Sequence, residues 1–179
     1  IFSKPNQITY IRIALIPVFV LFLLADIPYN SYISAFIFSV LSLSDALDGY
    51  IARKRKQASK LGQILDPIAD KLLISAALIF LIGRIPLWMA AAIIAREVII
   101  TILRLIVLPK RVIPADKFGK SKTIIQTIAI IAVILNFPFS WHLMLLAVII
   151  TLFSGFIYLI KISNMLNEDI LNIPNLITF

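Results

Sequence analysis

Four aspartates, Asp45, Asp48, Asp66 and Asp70, stand three and four residues apart on either side of a short basic turn, inside segments that are otherwise apolar. An ionised Asp near the centre of a membrane helix costs roughly 2.5–3.5 kcal/mol even on lenient scales, so any fold of this chain must bring these charges together around something cationic. At about 100° per residue, Asp45 and Asp48 lie ~60° apart on one helix face, and Asp66 and Asp70 lie ~40° apart on another. Two antiparallel helices joined through the basic turn would let the two acidic faces meet near its closed end. Such a pocket offers only hard oxygen ligands. With no cysteine in the chain and no histidine nearby, it suits Mg²⁺ or Mn²⁺, and four carboxylates are enough for two ions.

The surrounding residues fit a phosphate ligand. Gly49, Ala52 and Gly62 fall on or near the acidic faces, where a missing side chain admits a backbone, a partner helix or a ligand. Arg53 lies one turn beyond Gly49, and a guanidinium pairs with phosphate oxygens in a bidentate manner.

The rest of the chain belongs to the membrane class. Its 179 residues are 61% hydrophobic with a mean hydropathy of +1.02. Apolar runs are expected at about Ile8–Ala25, Ser31–Arg53, Leu61–Ile82, Ile85–Leu108, Phe118–Phe137 and Trp141–Ile162. The fold class is therefore all-α: a polytopic bundle of six transmembrane helices, preceded by a short interfacial segment at residues 3–7. The net charge of +8 sits in short loops between apolar runs, which suits an anionic leaflet and argues against nucleic acid as a partner. Placing the N-terminus in the cytoplasm puts Lys4, the basic residues of 53–60 and 110–122, and Lys161 on the cytoplasmic side, and leaves Arg84 opposite. Both termini and the acidic pocket then face the cytoplasm. The expected division is a membrane domain at 1–165 and a tail at 166–179. Within that tail Pro174, Asn175 and Thr178 repeat the spacing of Pro5, Asn6 and Thr9.

The pattern Asp45-x-x-Asp48-Gly49-x-x-Ala52-Arg53, eight residues, Gly62, three residues, Asp66, three residues, Asp70 resembles the signature of the CDP-alcohol phosphotransferase family. The resemblance implies transfer of a phosphatidyl or related group from a CDP-linked donor such as CDP-diacylglycerol to an alcohol, with release of CMP. Residue by residue, it implies that Asp45, Asp48 and Asp66 bind the metals and that Asp70 is the general base and a possible further ligand. Gly49, Ala52, Arg53 and Gly62 would surround the nucleotide and its diphosphate. It also implies a homodimer among membrane lipids. Direct displacement and a route through a covalent aspartyl intermediate both fit these residues.

The acceptor is read from a second group of charges. Arg96 and Arg104 lie inside an apolar run eight residues apart, and Lys120 and Lys122 open the next one. The stretches AREVIITILR at 95–104, IPADKFGKSKTIIQ at 113–126 and PNQITYIR at 5–12 resemble the branch of the family whose acceptor is glycerol 3-phosphate. Members often carry Phe where Val98 stands and Gly where Ile102 stands. An anionic acceptor requires cations beside the metal pocket, and Arg96, Arg104, Lys120 and Lys122 are the candidates. Phosphatidylglycerol, inositol phosphate and serine are the alternative acceptors. A cation transporter using the four aspartates is the alternative outside enzymology, although the basic turn would repel its ion. Two other charges have two readings each. Arg12 either snorkels from a helix end or faces a phosphate, and Lys71 either snorkels or balances the acidic cluster. His142, beside Trp141, reads as an interfacial residue.

Overall fold

In the computed structural model of the chain, the backbone is described over residues 4–55, 60–107 and 117–172, and the side chains over 11–44, 68, 69, 71–103 and 122–164. Over these residues it forms six helices: α1 (Lys4–Leu24), α2 (Asn30–Arg55), α3 (Lys60–Phe80), α4 (Leu87–Val107), α5 (Lys117–Ile134) and α6 (Ser140–Asn172). No strand occurs among them. Residues 4–7, expected as a separate interfacial segment, are continuous with α1. Pro5 is tolerated there because a first-turn residue has no intrahelical acceptor for its N–H. The last helix runs ten residues beyond the expected Ile162 to Asn172, past the boundary expected for the tail. Residues 173–179, with most of the repeat of the N-terminal pattern, lie outside the described residues.

Three short loops close one end of the bundle. At the first, Asn30 accepts from the Ser31 amide at 2.7 Å and donates to the Ala25 carbonyl at 2.7 Å, tying the start of α2 to the end of α1. At the second, Gly83 takes φ +109°, a conformation a side chain would strain, while Leu81 and Ile85 on either side are buried. At the third, Asn136 takes φ +53°, which its short polar side chain tolerates. Arg84 donates from Nη1 to the Ile134 carbonyl at 3.1 Å. The one cation expected on this side thus caps the C-terminus of α5, where a positive charge meets the negative end of the helix dipole.

Helices α1 and α3, α5 and α6, and α4 and α6 are the main packed pairs, and α1 also packs on α2. Among the described residues α2 and α3 touch each other only slightly, because α1 packs against both. The shared core includes Phe19 and Phe38, whose ring centroids lie 5.5 Å apart, with Leu73, Leu78, Met89, Ile93, Ile130, Ile134, Met144 and Val148. A smaller cluster of Ile100, Tyr158 and Ile162 joins α4 to α6.

Among the described residues, large hydrophobic side chains are exposed on every helix, among them Leu21, Phe36, Leu72, Ile99, Ile124 and Phe156, whereas Arg12, Glu97, Lys122 and Gln126 are buried. Among the described residues one stretch, Ser140–Asn164, is by itself long and apolar enough to cross a membrane.

Candidate functional site

The signature residues lie on two consecutive helices. Asp45, Asp48, Gly49, Ala52 and Arg53 occupy the last part of α2, and Gly62, Asp66 and Asp70 the first half of α3. At 1.5 Å per residue, Asp45 is ~15 Å before the end of α2 and Asp70 ~15 Å after the start of α3, with Asp48 and Asp66 at ~9–10 Å. Each acidic pair thus stands at a similar rise from its own helix end, before the end of α2 and after the start of α3. The side chains of all eight signature residues lie outside the described ones. Among the described residues no three His, Asp or Glu side chains converge on a metal position. The fit to a metal therefore rests on the donor set of the signature: carboxylates at one-turn spacing, which are hard oxygen ligands.

One residue beyond Asp70, Lys71 belongs to a charged cluster. Glu97, near the middle of α4, is 2% exposed, and its carboxylate receives three cations. Lys71 Nζ of α3 lies 2.7 Å from Oε2, Arg96 Nη1 lies 3.3 Å from Oε1, and Lys122 of α5 donates to Oε1. Arg96 also donates from Nη2 to Ser154 Oγ of α6 at 2.9 Å. Side chains of α3, α4 and α5 therefore meet at one carboxylate, and Arg96 links the cluster to α6.

Local helical geometry explains the arrangement. Arg96 and Glu97 are neighbours on α4 and diverge by about 100°, so Glu97 meets α3 and α5 while the longer Arg96 reaches α6 as well. Gly155 of α6 makes room for it: a Cβ there would sit 3.0 Å from Arg96 Nε and 3.1 Å from Cγ. On α5, Lys122 and Gln126 are one turn apart and share an inward face. Gln126 Nε2 donates to Thr151 Oγ1 at 3.0 Å, and both residues are buried. A buried carboxylate loses its hydration at a cost of several kcal/mol, and opposite charges in hydrogen-bond contact are what offset that loss.

The candidate residues thus divide. Arg96 and Lys122, both expected in the acceptor site, are brought together on Glu97. Arg104 lies eight residues further along α4, ~12 Å by helical rise, and Lys120 lies two residues before Lys122 in α5. The side chains of both lie outside the described ones. Arg12 is buried at 2% exposure, which rules out its snorkelling along the bundle exterior. Lys71 forms an ion pair with Glu97, a partner that neither reading included. His142 is exposed and stacks among Phe139 and Trp141 at the start of α6, as an interfacial residue would.

Glu97 itself was missing from the expected site. In the sequence it registers only as the neighbour of Arg96. The signal that would find it is charge balance: an acidic residue ten positions into an apolar helix needs a partner, and Lys71 and Lys122 also lie inside helices rather than at their ends.

Comparison with known proteins supplies a context. The profile of the family described as CDP-alcohol phosphatidyltransferase matches residues 2–153. A protein of Bacillus subtilis (strain 168) named CDP-diacylglycerol--glycerol-3-phosphate 3-phosphatidyltransferase is 40% identical over 183 residues, covering 89% of this chain and 95% of its own. A protein of the same name from Escherichia coli (strain K12) is 35% identical over 171 residues, covering 88% of this chain and 93% of its own. A probable phosphatidylglycerophosphate synthase of Mycobacterium tuberculosis (strain ATCC 25618 / H37Rv) is 36% identical over 166 residues, covering 87% of this chain and 79% of its own.

Proposed function

Because the chain belongs to the CDP-alcohol phosphatidyltransferase family, we propose that it transfers the phosphatidyl group of CDP-diacylglycerol to glycerol 3-phosphate, giving phosphatidylglycerophosphate and CMP. The relatives named for this reaction cover nearly all of the chain. The observation that carries the choice of acceptor is Lys122. The residue is 5% exposed, and Glu97 is the hydrogen-bond partner of its ammonium among the described residues. An ammonium has three N–H donors, so this buried group retains capacity for an anionic oxygen. The phosphate of glycerol 3-phosphate supplies one with close to two negative charges; serine offers a single carboxylate beside its own ammonium, and a panel of acceptors separates glycerol 3-phosphate from inositol phosphate and phosphatidylglycerol, which also carry phosphate.

The reaction is a displacement at phosphorus. The primary hydroxyl oxygen of the acceptor forms a bond to the lipid-linked phosphorus, the bond from that phosphorus to the oxygen of CMP breaks, and Asp70 takes the hydroxyl proton. Asp45, Asp48 and Asp66, with Asp70, are the residues that would hold Mg²⁺ or Mn²⁺, one ion or two. Such ions supply neutralisation of the diphosphate and of the charge that develops on the leaving CMP. Arg53 pairs with a phosphate of the donor, and Gly49, Ala52 and Gly62 leave space for the nucleotide. Arg96, Arg104, Lys120 and Lys122 bind the phosphate of the acceptor. An Asp with an ordinary pKa near 4 is a weak base at neutral pH. Proton transfer late in the displacement relaxes that requirement.

The same proposal sets the protein in the cytoplasmic membrane as a homodimer, with residues 1–165 as the catalytic domain, 166–179 as a tail, and both termini and the site facing the cytoplasm. The apolar exterior of all six helices supports the membrane setting. The loops at 25–29, 81–86 and 135–139 carry one cation among them, Arg84, which supports the orientation. Family membership favours group transfer over cation transport. The test of the reaction class is CMP release from CDP-diacylglycerol by the purified protein. Release that depends on both glycerol 3-phosphate and a divalent ion supports the proposal, and the absence of any CMP release contradicts it.

A further inference from the structure

Among the described residues Glu97 is the one buried carboxylate, and both of its oxygens are engaged: Oε2 by Lys71, and Oε1 by Lys122 and Arg96. A carboxylate held by three cations is a poor proton acceptor, and its lone pairs are already directed at N–H donors, so neither base nor metal ligand describes it. Nor is stability a sufficient account, because buried ion pairs contribute little net stability compared with apolar packing of the same volume. What a buried carboxylate does do is fix the position of its partners. Lysine is a point charge on a flexible four-carbon stem, and it binds a phosphate selectively only when something else holds its ammonium in place.

We propose that Glu97 is a positioning residue: it holds the Lys122 ammonium, together with Lys71 and Arg96, at a preset point for the phosphate of the acceptor. It thereby sets the preference for a phosphorylated alcohol over an uncharged one. This rests on the reading that the acceptor site includes Lys122. Three cations drawn onto one carboxylate repel each other, and a phosphate oxygen reaching the remaining donors of Lys122 relieves that repulsion. An uncharged alcohol does not. With the charge on Glu97 removed, the three cations move apart and the preset point is lost before substrate arrives. Lys71 adds a link to the chemistry, since it follows Asp70 directly in α3.

The test uses the full chain in lipid–detergent micelles, with steady-state rates against glycerol 3-phosphate, glycerol and CDP-diacylglycerol. Glu97→Gln raises KM for glycerol 3-phosphate roughly 10- to 100-fold, the range of a lost charge-assisted hydrogen bond. KM for CDP-diacylglycerol stays within about twofold and the rate with glycerol is unchanged, because neither uses the preset cation. Glu97→Asp, which keeps the charge on a shorter stem, lies between. In the double variant Glu97→Gln/Lys122→Gln, the rise in KM for glycerol 3-phosphate falls clearly short of the product of the two single effects, since the first residue acts largely through the second. Thr151→Val, which removes a different buried hydrogen bond between α5 and α6, leaves the KM unmoved. The inference is overturned by an unchanged KM in Glu97→Gln, by additive effects in the double variant, or by equal losses toward all three substrates. Should Glu97→Gln not accumulate as folded protein, Glu97→Asp decides: a raised KM at an unchanged melting temperature supports the inference, and an unchanged KM overturns it. If the unmodified protein releases no CMP with glycerol 3-phosphate, the functional reading fails first and this inference with it. A normal unmodified protein beside an unmoved Glu97→Gln removes the inference alone.

Discussion

The Nζ of Lys71 lies 2.7 Å from Oε2 of Glu97, which ties the residue immediately after the last aspartate of the signature to the middle of α4. The helix that carries Gly62, Asp66 and Asp70 is thereby joined to the helix that carries Arg96 and Arg104.

The two lysines on Glu97 differ in burial, and their removal has different costs. The Lys71 side chain is 25% exposed and the Lys122 side chain 6%. Water screens the first pair more, so Lys71→Ala is expected to destabilise by about 1 kcal/mol and Lys122→Ala by about 3 kcal/mol. Thermal unfolding in detergent, followed by helical circular dichroism, checks the order. Equal shifts would mean that the pairs are equally solvated.

The metal site is tested by removal. A four-carboxylate site repels itself without cations, so EDTA abolishes activity and Mg²⁺ or Mn²⁺ restores it. Asp66→Asn is inactive under all conditions. Full activity in EDTA would refute the assignment of Asp45, Asp48, Asp66 and Asp70.

Much of the fold is legible in the sequence, because six apolar runs bounded by polar loops set the six helices to within a few residues at most ends. The C-terminal end of α6 is the exception. Lys161, Asn164 and Asn167 mark the end of apolar character there, but helix propensity carries the backbone on to Asn172. The two helices on which the signature positions fall were equally legible, since local spacing is a property of one or two helices. Glu97 was not. Its partners come from α3 and α5, 26 and 25 residues away, and such tertiary pairing leaves no periodic trace in the chain.

Orientation yields to labelling. Reporters at residues 57 and 114 are expected to be cytoplasmic and one at residue 28 external, and a reversed pattern would refute the charge argument. Arg84 caps α5, so Arg84→Ala should cost about 1 kcal/mol of stability through its lost bond to the Ile134 carbonyl. Its KM values should not move.

Arg104 is expected to act on the acceptor alone. Arg104→Ala should raise KM for glycerol 3-phosphate by roughly tenfold or more, since charge-assisted hydrogen bonds contribute about 1.5–3 kcal/mol, while KM for CDP-diacylglycerol changes little. A matching rise for both substrates would place Arg104 outside the acceptor site.

The central claim is the identity of the acceptor, and one measurement addresses it directly: CMP release from a single CDP-diacylglycerol preparation with a panel of labelled acceptors. With Mg²⁺ or Mn²⁺ present, glycerol 3-phosphate should give the highest kcat/KM, and the label should appear in phosphatidylglycerophosphate. Faster release with inositol phosphate, serine or phosphatidylglycerol would contradict the acceptor assignment built on Lys122 and its neighbours.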